Sequence, residues 1–234
     1  MVKKLKEKSK DKFSVLIRTK NEENWIGHCI QSILDNLEKP EIIVIDNNST
    51  DSTLDIVRLF VQDPLLNNNK NNLNYTKIKI FKLNSYTPGK ALNFGVKKCK
   101  YENILILSAH CELKLFNQGS ILKNLKKYCC IFGKQEPIFK GKKITKRYIW
   151  SHFVNHEVKN MFSKQEKRYF LHNALAFYKK TILKKYPFDE NLAGKEDRYW
   201  INNMVKRKKN FLYDPSVSAK HHYTLNGNTW KGIG

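Results

Sequence analysis

The sequence predicts an α/β protein whose central sheet is mostly parallel, flanked by helices and folded as a single domain. Short apolar runs of strand length alternate with amphipathic segments of helical period through the first half of the chain. The best of these runs end abruptly in polar and acidic residues, as strands do at the open edge of a parallel sheet. A length of 234 residues suits one domain with a substantial core.

The first half alternates strand and helix in a regular order. Amphipathic segments are predicted as helices, and apolar segments that precede them as strands. The predicted strands are 13–18, 41–46, 77–83 and 103–108, and the predicted helices are 23–36, 51–61 and 88–98. The run at 65–75 is low in complexity and predicts a loop. Strands that alternate with helices in this way favour a parallel, Rossmann-like sheet.

The second half is less regular. It predicts a helix over 121–128, strands over 129–133 and 173–178, a helix over 195–208, and one or two closing strands over 211–223. Residues 134–168 mix basic and aromatic side chains without a clean period, which predicts mobile loop and short helix.

Composition excludes several classes of protein. The five cysteines form no CxxC pair, and their odd number fits a reduced cytoplasmic protein better than a disulfide framework. The longest apolar runs have strand length and fall short of the roughly 20 residues of a membrane span. The basic segment 1–12 precedes no apolar core, so it does not predict a secretory signal.

The formal net charge of +23 raises the question of a polyanionic partner. Only six of the 44 basic residues are arginines, whereas base reading and bidentate phosphate contacts favour arginine. We therefore expect no specific nucleic-acid partner. Weak association with an anionic membrane is expected, because lysines near such a surface each contribute about 1 kcal/mol.

Two polar segments follow the first two predicted strands. The first strand ends in Arg18 and Thr19, followed by Asn21 and Glu22, and the second ends in the run DNNSTD at 46–51. Neighbouring parallel strands bring such segments to one crevice, where a carboxylate can accept hydrogen bonds from a nucleotide. The candidate ligands in the second run are Asp46, Asn48 and Asp51.

These two segments, in this spacing, resemble the start of a family 2 glycosyltransferase with the GT-A fold. The segment PGKALNFG at 88–95 resembles the third donor-site segment of that family and implicates Lys90 and Asn93. Lys90 lies near a predicted helix N-terminus, where exposed N–H groups already favour an anion. The segments Gly133–Gln135 and His172–Ala174 resemble positions that border the sugar and the acceptor, which implicates Gln135 and Asn173.

The fourth predicted strand departs from the family pattern. Where the family usually carries an Asp-X-Asp motif for a divalent cation, this chain has Ser108, Ala109 and His110. A Mg²⁺ site built on carboxylate oxygens is therefore in doubt, whereas imidazoles suit Mn²⁺ and later transition metals. The histidine pair His221 and His222 follows a predicted closing strand at a place that resembles a further ligand position, and the resemblance implicates His110 with His222 as metal ligands. The alternative is metal-independent catalysis, in which His110 donates a hydrogen bond to phosphate.

The segment GKEDRYW at 194–200 resembles the Glu-Asp segment of inverting enzymes of the family. In them the aspartate is the general base, which implicates Asp197 ahead of Glu196. The alternative reading of both acids is an ordinary helix N-terminus with favourable charges in its first turn.

The resemblance implies an inverting glycosyltransferase that moves a sugar from a nucleotide-activated donor to a hydroxyl. Residues 13–115 would form the nucleotide-sugar-binding half and residues 116–234 the acceptor-binding and catalytic half, after the basic tail 1–12. A glycan or lipid-linked acceptor and a role in surface glycan biosynthesis are implied, in the cytoplasm or at the inner face of the membrane. The alternatives are a degenerate GT-A domain that binds without turnover and a nucleotidyltransferase, whose Gly-rich loop after the first strand is missing from RTKNEEN.

Overall fold

The computed structural model describes residues 11–62, 77–143, 149–225 and 227. The longer strands are β1 (Phe13–Thr19), β2 (Glu41–Asp46), β3 (Lys77–Lys82), β4 (Asn103–Ser108), β5 (Cys111–Leu115), β6 (Cys130–Phe139), β11 (Leu175–Lys179) and β12 (Leu212–His222). Four two-residue strands lie between β6 and β11, namely β7 (Lys142–Lys143), β8 (Val158–Lys159), β9 (Phe162–Ser163) and β10 (Arg168–Tyr169). The helices are α1 (Ile26–Asn36), α2 (Thr53–Gln62), α3 (Pro88–Lys98), α4 (Gln118–Asn124), α5 (Lys180–Lys185) and α6 (Glu196–Lys206), with a 3₁₀ turn at Ile149–His152.

One sheet organises the described chain, in the strand order β3-β2-β1-β4-β11-β6-β12-β5. The pairs of β1 with β2 and with β4 are parallel, and so are the pairs β2–β3 and β6–β12. Strand β11 runs antiparallel to both of its neighbours, and β5 runs antiparallel to β12. The predicted α/β fold with a mostly parallel sheet flanked by helices is therefore confirmed.

Both faces of the sheet are covered by apolar side chains. Alternate residues of β1, β2 and β4 contribute to opposite cores, so that Leu16 joins one cluster while Val15 and Ile17 join the other. The first cluster packs against α3, α5 and α6, and the second against α1, α2 and α4. Burial on both faces explains why these strands are continuous apolar runs. Within the described residues no helix combines the length and apolarity needed to cross a bilayer.

A buried carboxylate joins the three strands at the amino ends of β1, β2 and β3. Glu41 accepts hydrogen bonds from Ser14 Oγ at 2.6 Å, Lys79 Nζ at 2.7 Å and the Lys100 N–H at 2.6 Å. Burial alone would raise the pKa of Glu41, but these three donors outweigh it and hold the pKa below its usual value. The ionised carboxylate therefore stabilises the folded state.

The prediction of loop and short helix for residues 134–168 is wrong at its start and at the two-residue strands β7–β10, whereas the 3₁₀ turn Ile149–His152 agrees with the short helix. Strand β6 continues through residues 134–139, because residues 134–138 pair with β12 and residues 138–139 pair with β7. That tertiary pairing overrides the polar composition of the segment. Strand β5, helix α5 and the four two-residue strands β7–β10 were not predicted. The loop at 65–75 and residues 1–10 of the basic tail lie outside the described residues.

Candidate active site

A cleft of about 770 Å³ opens at the carboxyl ends of β1, β2 and β4. The register pairs Thr19 with Asp46 and Arg18 with Ser108, so the polar segments after these strands meet at one edge of the sheet. Several residues that the sequence implicated line this cleft together. They are Arg18, Thr19, Glu22, Ser108, His110, Asn173, Glu196 and Asp197.

Two histidines meet in the cleft from distant parts of the chain. His110 follows β4, and His221 lies near the end of β12, with their Nε2 atoms 3.1 Å apart. The Nδ1 atom of His110 lies 3.0 Å from Glu22 Oε1, and that of His221 lies 2.9 Å from Gln135 Oε1. Since a carboxylate and an amide oxygen only accept, both Nδ1 atoms donate and both Nε2 lone pairs face each other. A shared proton or a cation stabilises such an arrangement.

The donor set around this pair fits a divalent cation. His110, Cys111 and His221 offer ligand atoms that all lie within 4.8 Å of one another. Imidazoles that ligate metals characteristically donate their other N–H to a carboxylate or carbonyl, as both rings do here. Burial lowers the pKa of His221 well below its usual value, which keeps the ring neutral and able to ligate. Burial raises the pKa of Cys111, so its thiol is the weaker candidate.

The structure brings His221, rather than the predicted His222, against His110. Successive side chains of a strand point to opposite faces, and the ring of His222 is turned away from His110. Its Nε2 atom lies 2.5 Å from Glu112 Oε1, and its ring stacks on Trp25 with centroids 4.0 Å apart. His222 therefore supports the local packing of β12.

Two acids begin helix α6 and reach the cleft. Asp197 Oδ2 accepts hydrogen bonds from the Asn173 N–H at 3.0 Å and from Arg198 Nη1 at 2.9 Å. Glu196 Oε1 accepts one from Arg18 Nη1 at 2.9 Å. Burial would raise the pKa of Asp197, but the Arg198 guanidinium and the other donors outweigh it and hold the pKa below its usual value. Asp197 is therefore ionised at neutral pH, as a general base must be.

Several residues that line the cleft were not among the predicted site residues. His172 is buried beside Asp197, and burial together with the charge of Arg198 lowers the pKa of His172 to about 3, so its ring is neutral. Arg198 could have been identified from the sequence, because it directly follows Asp197 in the segment GKEDRYW. No sequence pattern indicated that Tyr86 lines the cleft. These cleft residues include Lys20, Asn47, Tyr86, Lys195 and Arg198. They also include His172 and His221, which the sequence analysis placed only beside the predicted Asn173 and His222.

The remaining residues after β1 and β2 shape the turns that border the cleft. Asp46 is fully buried and accepts hydrogen bonds from Ser49 N and Ser49 Oγ. Asn21 Oδ1 accepts from the Thr50 N–H at 2.8 Å, and Asp51 accepts from the Glu23 N–H at 3.1 Å. Asn48 has a positive φ of 52°, which asparagine tolerates well. Nucleotide binding by these residues stays a prediction.

The three other predicted site residues also have contacts within the protein. Lys90 Nζ lies 3.1 Å from Ser85 Oγ, near the start of α3. Asn93 is buried and clamps the backbone of Phe188, accepting from its N–H at 3.0 Å and donating to its carbonyl at 2.9 Å. Gln135 lies behind His221 and orients its ring.

Solved structures share this architecture. The chain superposes on a crystal structure of S. aureus TarS 1–349 in complex with UDP-GlcNAc with a TM-score of 0.65 and 19% identity, over 92% of this chain and 60% of that one. It superposes on the mannosyltransferase PcManGT from Pyrobaculum calidifontis, in complex with GDP-Man and Mn²⁺, with a TM-score of 0.65 and 16% identity, over 94% and 59% of the two chains. These likenesses establish the GT-A fold.

Curated proteins match a part of the sequence. The dolichyl N-acetyl-α-D-glucosaminyl phosphate 3-β-D-2,3-diacetamido-2,3-dideoxy-β-D-glucuronosyltransferase of Methanococcus voltae is 28% identical over 131 residues, 55% of this chain and 37% of that protein. The poly(ribitol-phosphate) β-N-acetylglucosaminyltransferase TarS of Staphylococcus aureus is 34% identical over 101 residues, 42% of this chain and 16% of that protein. The matched regions thus span well under half of either relative.

The family itself follows from a broader match. The model of glycosyl transferase family 2 matches residues 14–187, which include nearly all of β1, the segments after β1 and β2, and His110, while Asp197 and His221 lie beyond the matched range. This chain belongs to glycosyl transferase family 2.

Proposed function

We propose that the chain transfers a sugar from a nucleotide-activated donor to an acceptor hydroxyl, with inversion at the anomeric carbon. The observation that carries the proposal is the shared cleft, which is lined by the ionised carboxylate of Asp197 and by the His110–His221 pair. A transfer of this kind needs a proton acceptor for the incoming hydroxyl and a means to stabilise the departing diphosphate.

In the proposed reaction Asp197 is the general base. The acceptor oxygen attacks the anomeric carbon, its proton passes to the Asp197 carboxylate, and the bond from that carbon to the diphosphate oxygen breaks. Hydrogen bonds from Asn173 and Arg198 hold the carboxylate in place. A positioned base of this kind typically contributes ~10²–10⁴ in rate. Glu196, whose carboxylate pairs with Arg18, is the second choice, because the resemblance to inverting enzymes of the family assigns the base to the aspartate of this segment.

The donor is proposed to lie against the segments after β1 and β2. The crevice outside the carboxyl ends of neighbouring parallel strands is the expected ligand site of an open α/β sheet. Asn47 and Thr19, from both segments, line the cleft. Residues 13–115 would then bind the nucleotide sugar, and residues 116–234 would supply the acceptor site and the base.

A divalent cation, with Mn²⁺ preferred to Mg²⁺, is proposed to rest on His110 and His221. Two imidazole nitrogens and a nearby thiol form a softer donor set than the oxygen ligands that Mg²⁺ requires. Bound there, the ion would neutralise charge on the leaving diphosphate. The rival account assigns that stabilisation to His110, Lys90 and helix N–H groups alone.

The metal proposal is tested by Mn²⁺ titration, followed by electron paramagnetic resonance, on the full chain. His221→Ala should weaken Mn²⁺ binding at least tenfold. Removing a residue that only hydrogen-bonds to a metal ligand typically lowers metal affinity by that factor, and His221 would be a ligand itself. His222→Ala, on the same strand, is the matched control and should retain the affinity. Equal affinities in both variants, or full transferase activity in excess EDTA with no gain on adding Mn²⁺, would support the metal-free account.

The acceptor is proposed to be a glycan or lipid-linked hydroxyl in surface glycan biosynthesis, in the cytoplasm or at the inner face of a membrane. The support is the family together with the two curated relatives, whose names describe a dolichyl phosphate-linked acceptor and a poly(ribitol-phosphate) acceptor. Both relatives extend well beyond the region that this chain matches.

A panel of nucleotide sugars tests the proposed function. Donor hydrolysis and transfer are measured for each sugar with Mn²⁺ and with Mg²⁺, and the Asp197→Asn variant reports contaminating activity. We expect turnover of at least one donor by the wild-type chain. Tight binding of a nucleotide sugar without turnover, in every metal condition, would instead support a degenerate domain that only binds.

A further inference from the structure

The edge of the sheet opposite the cleft is strongly cationic. The segments that lead into β4, β6 and β12, and the segment that follows the antiparallel β11, all lie at the amino ends of the parallel strands and carry lysine runs. We name as the basic edge the four segments 97–102, 125–129, 179–186 and 206–210, whose sequences are KKCKYE, LKKYC, KKTILKKY and KRKKN. All of their lysines and their one arginine are exposed except Lys179 and Lys180, which are half-buried. Glu102 is the sole acid of the four segments.

Contacts between the segments make this edge one continuous surface. The Lys180 N–H donates to the Glu102 carbonyl at 2.7 Å, which joins the first segment to the third. The Cys129 N–H donates to the Asn210 carbonyl at 2.8 Å, which joins the second to the fourth. The guanidinium of Arg207 lies 5.3 Å from the ring centroid of Tyr186, which joins the fourth to the third. The lysines are therefore neighbours in space as well as in sequence.

So many like charges on one surface repel one another, and an anionic partner relieves that repulsion. The edge also holds half-buried tyrosines at positions 101, 128 and 186, two of them beneath cations, with Lys100 Nζ at 5.3 Å from the Tyr101 centroid and Lys185 Nζ at 5.5 Å from the Tyr186 centroid. Tyrosine is enriched at the head-group level of membranes, where its ring is apolar at one end and wet at the other. Nucleic-acid recognition favours arginine, of which the edge has one.

We propose that the basic edge docks on an anionic lipid bilayer, with lysines at the phosphate level and the three tyrosines among the head groups. Strands β1 and β4 run from this edge to the cleft, so the cleft opens away from the bilayer. At about 3.3 Å per residue, a six-residue strand such as β4 separates sugar transfer from the lipid surface by about 20 Å. The acceptor hydroxyl must then project from the membrane, as the growing end of a glycan does.

Vesicle binding of the full chain tests this surface. The probes are sedimented vesicles of phosphatidylcholine alone and of an equal mixture of phosphatidylcholine and phosphatidylglycerol. The basic-edge variant carries four substitutions at exposed lysines, Lys126→Gln, Lys127→Gln, Lys206→Gln and Lys209→Gln. The charge-matched control carries four at exposed lysines outside the basic edge, Lys140→Gln, Lys142→Gln, Lys164→Gln and Lys167→Gln.

Each lysine close to an anionic surface contributes about fivefold to partitioning. We therefore expect the basic-edge variant to lose about a hundredfold or more in affinity for anionic vesicles, and the control less than about tenfold, since charges beyond a Debye length are screened. Hydrogen exchange should slow in 97–102 and 206–210 on vesicle binding, and remain unchanged around Asp197.

Three results would overturn the proposal. Equal losses in the two variants would show that net charge, and no particular face, drives binding. Equal binding to neutral and anionic vesicles would remove the role of the lysines. Mixed-sequence duplex DNA that binds the same edge more tightly than the anionic vesicles would identify a nucleic acid as the partner instead.

Discussion

Replacing Asp197 by asparagine separates a catalytic carboxylate from a structural one. The side chain keeps its shape but loses its charge and its ability to take a proton. In the structure Asp197 Oδ1 accepts from the Arg198 N–H at 2.8 Å, while Oδ2 accepts from the Asn173 N–H and from the Arg198 guanidinium. An asparagine offers one oxygen and one NH₂ group, so its NH₂ must face at least one of these donors.

The magnitude follows from that mismatch. A buried donor left without an acceptor costs about 1–3 kcal/mol, and breaking a buried ion pair costs about 3–5 kcal/mol. Arg198 is 3% exposed, so it cannot regain solvent when Asp197 loses its charge. We expect Asp197→Asn to lose about 3–5 kcal/mol of unfolding free energy, or roughly 10 °C in melting temperature at 2–4 °C per kcal/mol. Turnover should fall by ~10² or more through loss of the base.

Glu196→Gln is the matched control. Glu196 also lies in the first turn of α6, and the substitution breaks its ion pair with Arg18. Both variants should be less stable, but only Asp197→Asn should lose turnover by the full factor while it retains affinity for the donor. The assay is nucleoside diphosphate release below the melting temperature of both variants. If Asp197→Asn works within a few-fold of wild type and Glu196→Gln is inactive, the base is Glu196 and the assignment fails.

Two further predictions concern stability. Gly89→Ala should destabilise the fold by about 1–3 kcal/mol in chemical denaturation, because the added Cβ would lie 2.1 Å from the Asp189 carbonyl oxygen. Gly119→Ala is the control and should be neutral or stabilising, because its added Cβ would meet nothing nearer than 3.7 Å. If Gly119→Ala were the less stable of the two variants, the packing argument would be contradicted. The depressed pKa of Glu41 contributes stability that is present above the unfolded value of 4.5 and is lost as pH falls through the folded value. The urea midpoint of Glu41→Gln should therefore be well below that of wild type at pH 7, and the difference between the two midpoints should shrink in acid. Substitution of the exposed Glu38 by glutamine should leave the midpoint unchanged at pH 7 and in acid. A difference for Glu41→Gln that stays constant with pH would argue against the ionised carboxylate.

The sequence predicted strands β1, β2 and β4 and helix α3 well, because the patterns that indicate them are local. Strands β2 and β4 have the predicted bounds, and β1 and α3 differ by at most one residue. Each is buried on both faces or amphipathic, so its apolar pattern alone indicates its structure. The crevice between β1 and β2 followed from the same pattern, because parallel neighbours end at the same edge.

Strands β5 and β6 depend on pairing with distant strands, which no local sequence pattern indicates. Strand β6 includes polar residues and a proline at positions 134–137, and these residues are held in strand conformation by pairing with β12. Strand β5 begins one residue after His110 and reverses the chain, so the sequence of 103–115 hides two strands that a single turn separates. Tertiary context of this kind overrides single-residue preference.

The partner of His110 shows where sequence reasoning ends. His110 and His221 are 111 positions apart, so only the folded sheet brings their rings together. Counting alternate residues along β12 does not distinguish His221 from His222, because the pairing register with β6 shifts between Asp214 and Ser218. A bulge of this kind changes which face each later side chain occupies, and it is specified by the partner strand. The position of that bulge, more than the identity of either histidine, decides that His221 enters the cleft and that His222 packs on Trp25.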